Sequence, residues 1–243
     1  MPLRIVIPKC PPSEEVIRTV AEKSGNKVLL AFSGGKDAIA AWIALRKYGV
    51  KVFPYYYYIH PGLEFVNSSL AYYEEMFGER IMRVPNPKLY ECWRECVDQT
   101  PERLATLLGG SIPKFDSHDL AQAVKQTCGL PANTYTALGV RAADSVNRRT
   151  MFVRSGPIFE KRFKFYPVWD WTKSAVRIEI FRAKLKLPVD YWIFGRSFDG
   201  LDYRFIAPIA KHYPDDYERL KQFFPMLDAE LKRAEFAGMT DHL

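Results

Sequence analysis

One stretch constrains this chain more than any other: the apolar run Val28-Leu-Leu-Ala-Phe32, followed directly by Ser33-Gly34-Gly35-Lys36-Asp37. A run that is apolar at every position, rather than at alternate ones, describes a strand covered on both faces, as in parallel sheets. The two glycines turn the chain. Lys36–Tyr48 then places Ile39, Trp42 and Ile43 at helical spacing, with Gly49 as a stop. Val52–Ile59, β-rich and with Pro54 near its start, reads as a second strand. Two strands bridged by such a helix make a right-handed βαβ unit.

The alternation continues. The spacing predicts a helix over Leu63–Phe77, a strand over Arg80–Val84, and helices over Leu89–Val97, Pro101–Leu108 and Asp116–Cys128. A strand at Thr134–Leu138 leads through Gly139-Val140-Arg141 into a helix reaching Arg148. A strand at Lys164–Val168 and a helix at Thr172–Leu185 follow. This is the pattern of an α/β fold, a parallel twisted sheet with helices on both faces. Residues 1–24 read as an irregular lead with a short helix capped by Ser13, and 25–187 as the α/β domain. In 188–243, aromatic and proline-rich sequence over Asp190–Pro214 precedes helices at Asp215–Phe224 and Met226–Phe236, a helical appendage packed on that domain. At 243 residues and 48% apolar, the chain can bury a core without a disulfide or metal staple.

Lys and Arg number 35 against 28 Asp and Glu, a formal charge of +7. The surplus suits an anionic partner: a nucleotide, a nucleic acid or an acidic carrier. Four cysteines (Cys10, Cys92, Cys96, Cys128) form no disulfide framework. The opening residues lack a secretory pattern, and the longest apolar runs fall far below the about 20 residues that cross a bilayer. The expectation is a cytoplasmic protein with reduced thiols and no membrane partner.

Residues Ser33–Asp37 have the chemistry of a phosphate site. Gly34 and Gly35 allow the backbone to approach an anion, and the helix N-terminus adds about half a positive charge. Lys36 adds a full charge, and Asp37 can hold a magnesium ion that bridges phosphate oxygens. The string is neither a Walker loop nor a dinucleotide fingerprint.

It resembles the PP-loop of the ATP pyrophosphatase superfamily, Ser-Gly-Gly-x-Asp-Ser. Three further segments are similar, in order, to elements of the phosphoadenosine phosphosulfate (PAPS) reductase-like family. They are His60-Pro-Gly-Leu-Glu-Phe65, Gly139-Val-Arg-Ala-Ala-Asp-Ser-Val-Asn-Arg148 and Tyr166-Pro-Val-Trp-Asp-Trp-Thr172. The resemblance implies an adenine nucleotide alpha hydrolase-like fold and a nucleotide held by Ser33, Gly34, Gly35, Lys36, Asp37, Gly62, Glu64, Gly139, Arg141, Ser145 and Arg148. Lys36, Asp37 and Arg141 would be catalytic. The implied nucleotide is ATP, cleaved between its α and β phosphates to adenylate a substrate that then accepts a nucleophile, with sulfur and a sulfur carrier among the candidates. The alternative nucleotide is PAPS, reduced by a thiol.

The sequence departs from the family's pattern. Ala38 replaces the loop's last serine, and His60-Pro61 replaces Asp-Thr. No cysteine follows Cys128, so the reductases' terminal nucleophile is missing, as are the cysteine pairs of an iron–sulfur cluster. Cys128 remains the candidate reactive thiol, although a helix-end position argues against a low pKa. A third reading is a non-catalytic nucleotide sensor that binds nucleic acid.

Three other patterns carry weight. Arg141, Asp144, Ser145 and Arg148, at i, i+3, i+4 and i+7, are expected on one helical face. Cys92 and Cys96, at i and i+4, are a metal pair without partners and are expected to be packing thiols. Lys161-Arg-Phe-Lys-Phe-Tyr166 interleaves charge and aromatics, which describes either a single-strand nucleic-acid surface or a hairpin.

Overall fold

The computed structural model describes residues 3–238; Met1, Pro2 and the closing Met239–Leu243, with His242, lie outside the described residues. Helix α1 (Ser13–Lys23) leads into β1 (Lys27–Ala31), and α2 (Lys36–Lys47) connects it to β2 (Lys51–Tyr58). Then come α3 (Glu64–Phe77), β3 (Met82–Pro85), α4 (Pro87–Arg94), α5 (Pro101–Gly109) and α6 (Ser117–Thr127). The second half adds β4 (Thr136–Leu138), α7 (Val146–Ser155), β5 (Ile158–Phe159), β6 (Lys164–Phe165) and α8 (Lys173–Arg182). It closes with α9 (Val189–Ile193), α10 (Tyr203–His212), α11 (Pro214–Phe223) and α12 (Leu227–Phe236).

The fold is α/β. One sheet has the strand order β3-β2-β1-β4-β6-β5. β1 pairs in parallel with β2 on one side and with β4 on the other, β4 pairs in parallel with β6, and β5 returns antiparallel against β6. Val28, Leu29 and Leu30 are fully buried, in keeping with the uninterrupted apolar run at the centre of β1. The order reverses at β1: the chain runs outward through β2 and β3, then re-enters on the other side as β4. Sheets of this kind bind ligands in the crevice at such a reversal, outside the carboxyl ends of the strands.

Contacts divide the chain into two compact units. Residues up to Tyr56, Tyr73–Arg83 and His118–Leu187 form the first; Tyr57–Tyr72, Val84–Ser117 and the residues from Pro188 onward form the second. In the first, α2 packs on α8, and Trp42 stacks on Phe77 at 4.1 Å. In the second, α10 packs on α11 and α12, and Phe65, Phe194, Phe198 and Phe205 form an aromatic cluster. No helix among the described residues is long and apolar enough to cross a membrane.

Several expectations are corrected. Ser13 is the first residue of α1 rather than its cap; its hydroxyl donates to the buried Asp170, which also accepts Ser13 N–H at 3.2 Å and Arg4 at 2.9 Å. The helix expected from Arg141 begins only at Val146, because Ser145 accepts a hydrogen bond from Arg148 N–H and caps it there. The late strand contains only Lys164 and Phe165, and it faces β5 across the turn Glu160–Arg162. The proline-rich stretch holds α10, which keeps Pro208 inside and is capped by Asp202.

Candidate phosphate site

The loop after β1 and the loop after β4 meet at the sheet's reversal. Gly34 adopts φ +71°, a left-handed conformation that glycine enters without steric cost. This turns the main chain, so that Gly35 stands at the N-cap of α2 and Ser33 Oγ accepts from its N–H at 3.3 Å. The first N–H groups of a helix lack intrahelical partners, so the start of α2 presents donors and a partial positive charge. Gly139 comes from the other loop and is needed for a different reason. A Cβ there would lie 2.6 Å from Ala38 N and Asp37 C and 2.7 Å from Asp37 O. The end of β4 is therefore pressed against the first turn of α2.

Charged groups alternate through the site. Lys36 Nζ donates to Asp37 Oδ2 at 2.8 Å, and Arg141 Nε donates to Asp37 Oδ1 at 2.6 Å. Arg141 also reaches Asp144, and Asp144 Oδ2 accepts from Arg148 at 2.6 Å. A third branch of Arg141 donates to the carbonyl of Trp171 at 3.2 Å. Arg141 is 2% exposed, whereas Arg148 is exposed. Arg141 is thus a buried clamp that fixes the loop carboxylate, and Lys36 is the more accessible cation.

The structure therefore brings Ser33, Gly34, Gly35, Lys36, Asp37, Gly139 and Arg141 together, with Ser145 and Arg148 at the start of α7. Arg141 and Asp144 meet across a turn rather than along a helix face. The Trp171 carbonyl was invisible to sequence reasoning, since a main-chain acceptor leaves no residue signal. Gly62 and Glu64 belong to the second unit. Gly62 turns the chain at φ +81° in open space. Glu64 opens α3, where its N–H and that of Phe65 donate to Asp216 at 2.9 and 3.1 Å, and its carboxylate accepts from Ser68 at 2.8 Å.

His60, beside Gly62 in the sequence, is 5% exposed, and neither ring nitrogen has a hydrogen-bond partner. Its ring meets Phe223 edge-on at 4.3 Å. Burial lowers its pKa, outweighing the opposing pull of the Pro61 and Arg219 main chain and of Asp216; the Arg219 charge adds to the lowering. The unfolded chain then binds the proton better, so stability is full above about pH 6.5 and falls as pH drops below it. His60→Phe keeps a ring against Phe223 and is expected to flatten that acid dependence in thermal melts. A parent whose melting temperature is constant over this range would overturn the expectation.

Cys128 is placed away from this chemistry. Cys128 follows α6 and lines a cavity of about 470 Å³ with Val52, Phe53, Pro54 and Arg83. Those β2 residues pair with Val28–Leu30, three to five positions before Ser33, roughly 10–16 Å along the strand. Burial raises the pKa of Cys128, and also those of Cys10 and Cys92. Cys96 lies beyond α4 with φ +53°, so Cys92 and Cys96 do not share a helix face. In the basic–aromatic segment, Phe163 and Phe165 pack edge-on against Tyr135, and Tyr166 against Phe152. The segment is a hairpin with its rings engaged in packing.

No family model and no curated protein matches the sequence. Among solved structures, the chain is similar to an NH3-dependent NAD synthetase from Campylobacter jejuni in complex with the nitrate ion. The TM-score is 0.45 at 15% identity, covering 93% of this chain and 94% of that one. It is also similar to a phosphoadenylyl-sulfate (PAPS) reductase from Candida auris in a phosphate complex. There the TM-score is 0.43 at 15% identity, covering 78% of this chain and 88% of that one.

Proposed function

We propose that the chain is a PP-loop-type enzyme that binds an adenine nucleotide by its phosphates at the carboxyl ends of β1 and β4 and cleaves ATP to activate an acceptor. One observation carries the phosphate site. The glycine turn, the N-terminus of α2 and Lys36 converge at the sheet's reversal, where Gly139 and Arg141 hold the loop from the other side. The adenine specificity comes from the sequence resemblance.

In this reading Ser33, Gly34 and Gly35 cradle phosphate oxygens, and Lys36 neutralises their charge. Asp37, fixed by Arg141, sets the position of Lys36. An acceptor nucleophile attacks the α phosphorus, the bond to the bridging oxygen breaks, and pyrophosphate departs with its charge met by Lys36 and the helix N-terminus. Ser145 and Arg148 stand at the rim. A sulfur nucleophile delivered by a carrier is the family-based form of the acceptor. The cysteines favour this chemistry over thiol attack on a sulfonucleotide, since Cys128 sits toward the start of the strands with a raised pKa.

Lys36→Ala is expected to weaken nucleotide binding by about 1–3 kcal/mol, the usual worth of a charge-assisted hydrogen bond, with the melting temperature of the unliganded protein preserved. Calorimetric titration with ATP and AMP measures it. Equal affinity in parent and variant would refute the loop assignment, and release of sulfite from PAPS by the parent would instead establish the reductase.

A further inference from the structure

The loop's residue types suggest a magnesium ion on Asp37, and the donor set around the loop does not fit one. Both oxygens of that carboxylate are engaged, Oδ2 by Lys36 at 2.8 Å and Oδ1 by Arg141 at 2.6 Å. The next carboxylate, Asp144, is held in the same way between Arg141 and Arg148. Magnesium asks for near-octahedral oxygen ligands at about 2.0–2.1 Å, typically one or two carboxylates plus phosphate and water. On Asp37 it would sit against two cations, one of them buried and unable to withdraw into solvent. No three His, Cys, Asp or Glu side chains cluster for a metal among the described residues.

We propose that this site takes its nucleotide as the metal-free anion, with no divalent ion held by the protein. Lys36 and the N-terminus of α2 supply the charge that a metal would otherwise supply. Asp37 is a bracket that holds Lys36 and Arg141 in place. The inference rests on the phosphate-site reading and narrows it to a ligand class: free nucleoside phosphates, or their sulfonated equivalents, in preference to magnesium chelates. Chelation removes two negative charges from ATP, so a cradle that attracts through its own cations loses attraction when the metal is present.

The test is titration of the parent protein with ATP and with AMP, each in excess EDTA and in excess magnesium, read by calorimetry and by melting temperature. The inference expects ATP to bind in EDTA as tightly as in magnesium or more so, and AMP to bind alike in both within about twofold. ATP binding that weakens about tenfold or more in EDTA would overturn the inference and leave the phosphate site standing. Absence of binding under both conditions would overturn the phosphate site and this inference together.

Discussion

Gly139→Ala is expected to destabilise the protein by about 2–3 kcal/mol, near the upper end for overpacking, because the added methyl meets main chain rather than a flexible side chain. Its contacts would lie at 2.6 Å from Ala38 N and Asp37 C and 2.7 Å from Asp37 O. The end of β4 or the first turn of α2 must move. For a chain of this size the melting temperature should fall by about 4–12 °C. The same displacement swings Asp37 and Lys36 away from the turn at Gly34, so nucleotide affinity should fall with stability. That pairing distinguishes a loop-positioning glycine from an ordinary core glycine, which would cost stability alone. Parallel thermal melts and ATP titrations of the two proteins measure both. An unchanged melting temperature and affinity would mean that the two loops have slack and that their contact does not shape the site.

The parts of this site that were legible in the sequence are those encoded within one turn of chain. The apolar run Val28–Phe32 announces a strand buried on both faces, and Ser33-Gly34-Gly35 breaks it where a left-handed turn is required, so strand, turn and helix follow locally. Helical spacing places the start of α7 too early. Residues 141, 144, 145 and 148 have helical spacing, yet the pairing of Arg141 with Asp144 forms across a non-helical turn. Ser145, a preferred N-cap residue, marks the helix start that the spacing alone places too early. α10 was hidden by Pro208, which normally argues against a helix interior, although Asp202 marked its start. The bond between Arg141 and Asp37 joins residues 104 positions apart, and no spacing rule reaches that far. Nor could sequence show that Gly139 serves close approach rather than a positive φ.

Arg141→Met should cost a similar amount, about 2–3 kcal/mol, because it removes the buried cation from two partly buried carboxylates and leaves them only Lys36 and Arg148. The side chain of Arg141 is 3% exposed, while those of Asp37 and Asp144 are 15% and 16% exposed. Methionine fills much of the volume, so the loss reports charge and hydrogen bonding rather than a cavity. Arg141→Lys should recover little of it. A guanidinium reaches Asp37 through Nε, Trp171 O through one terminal nitrogen and Asp144 through the other, whereas an ammonium is a single point charge. The decisive measurement is a double-mutant cycle with Asp144→Asn. If Arg141 and Asp144 act as one unit, the double variant will be more stable than the sum of the two single losses predicts, by about 0.5–3 kcal/mol. Additive losses would show that Asp144 is incidental and that Asp37 and the Trp171 carbonyl hold the arginine. In that case the link running out through Asp144 to Arg148 would not support Arg141. The loop would depend on Arg141 and on the contact between the end of β4 and the first turn of α2, and the exposed rim at Ser145 and Arg148 could vary without disturbing Lys36.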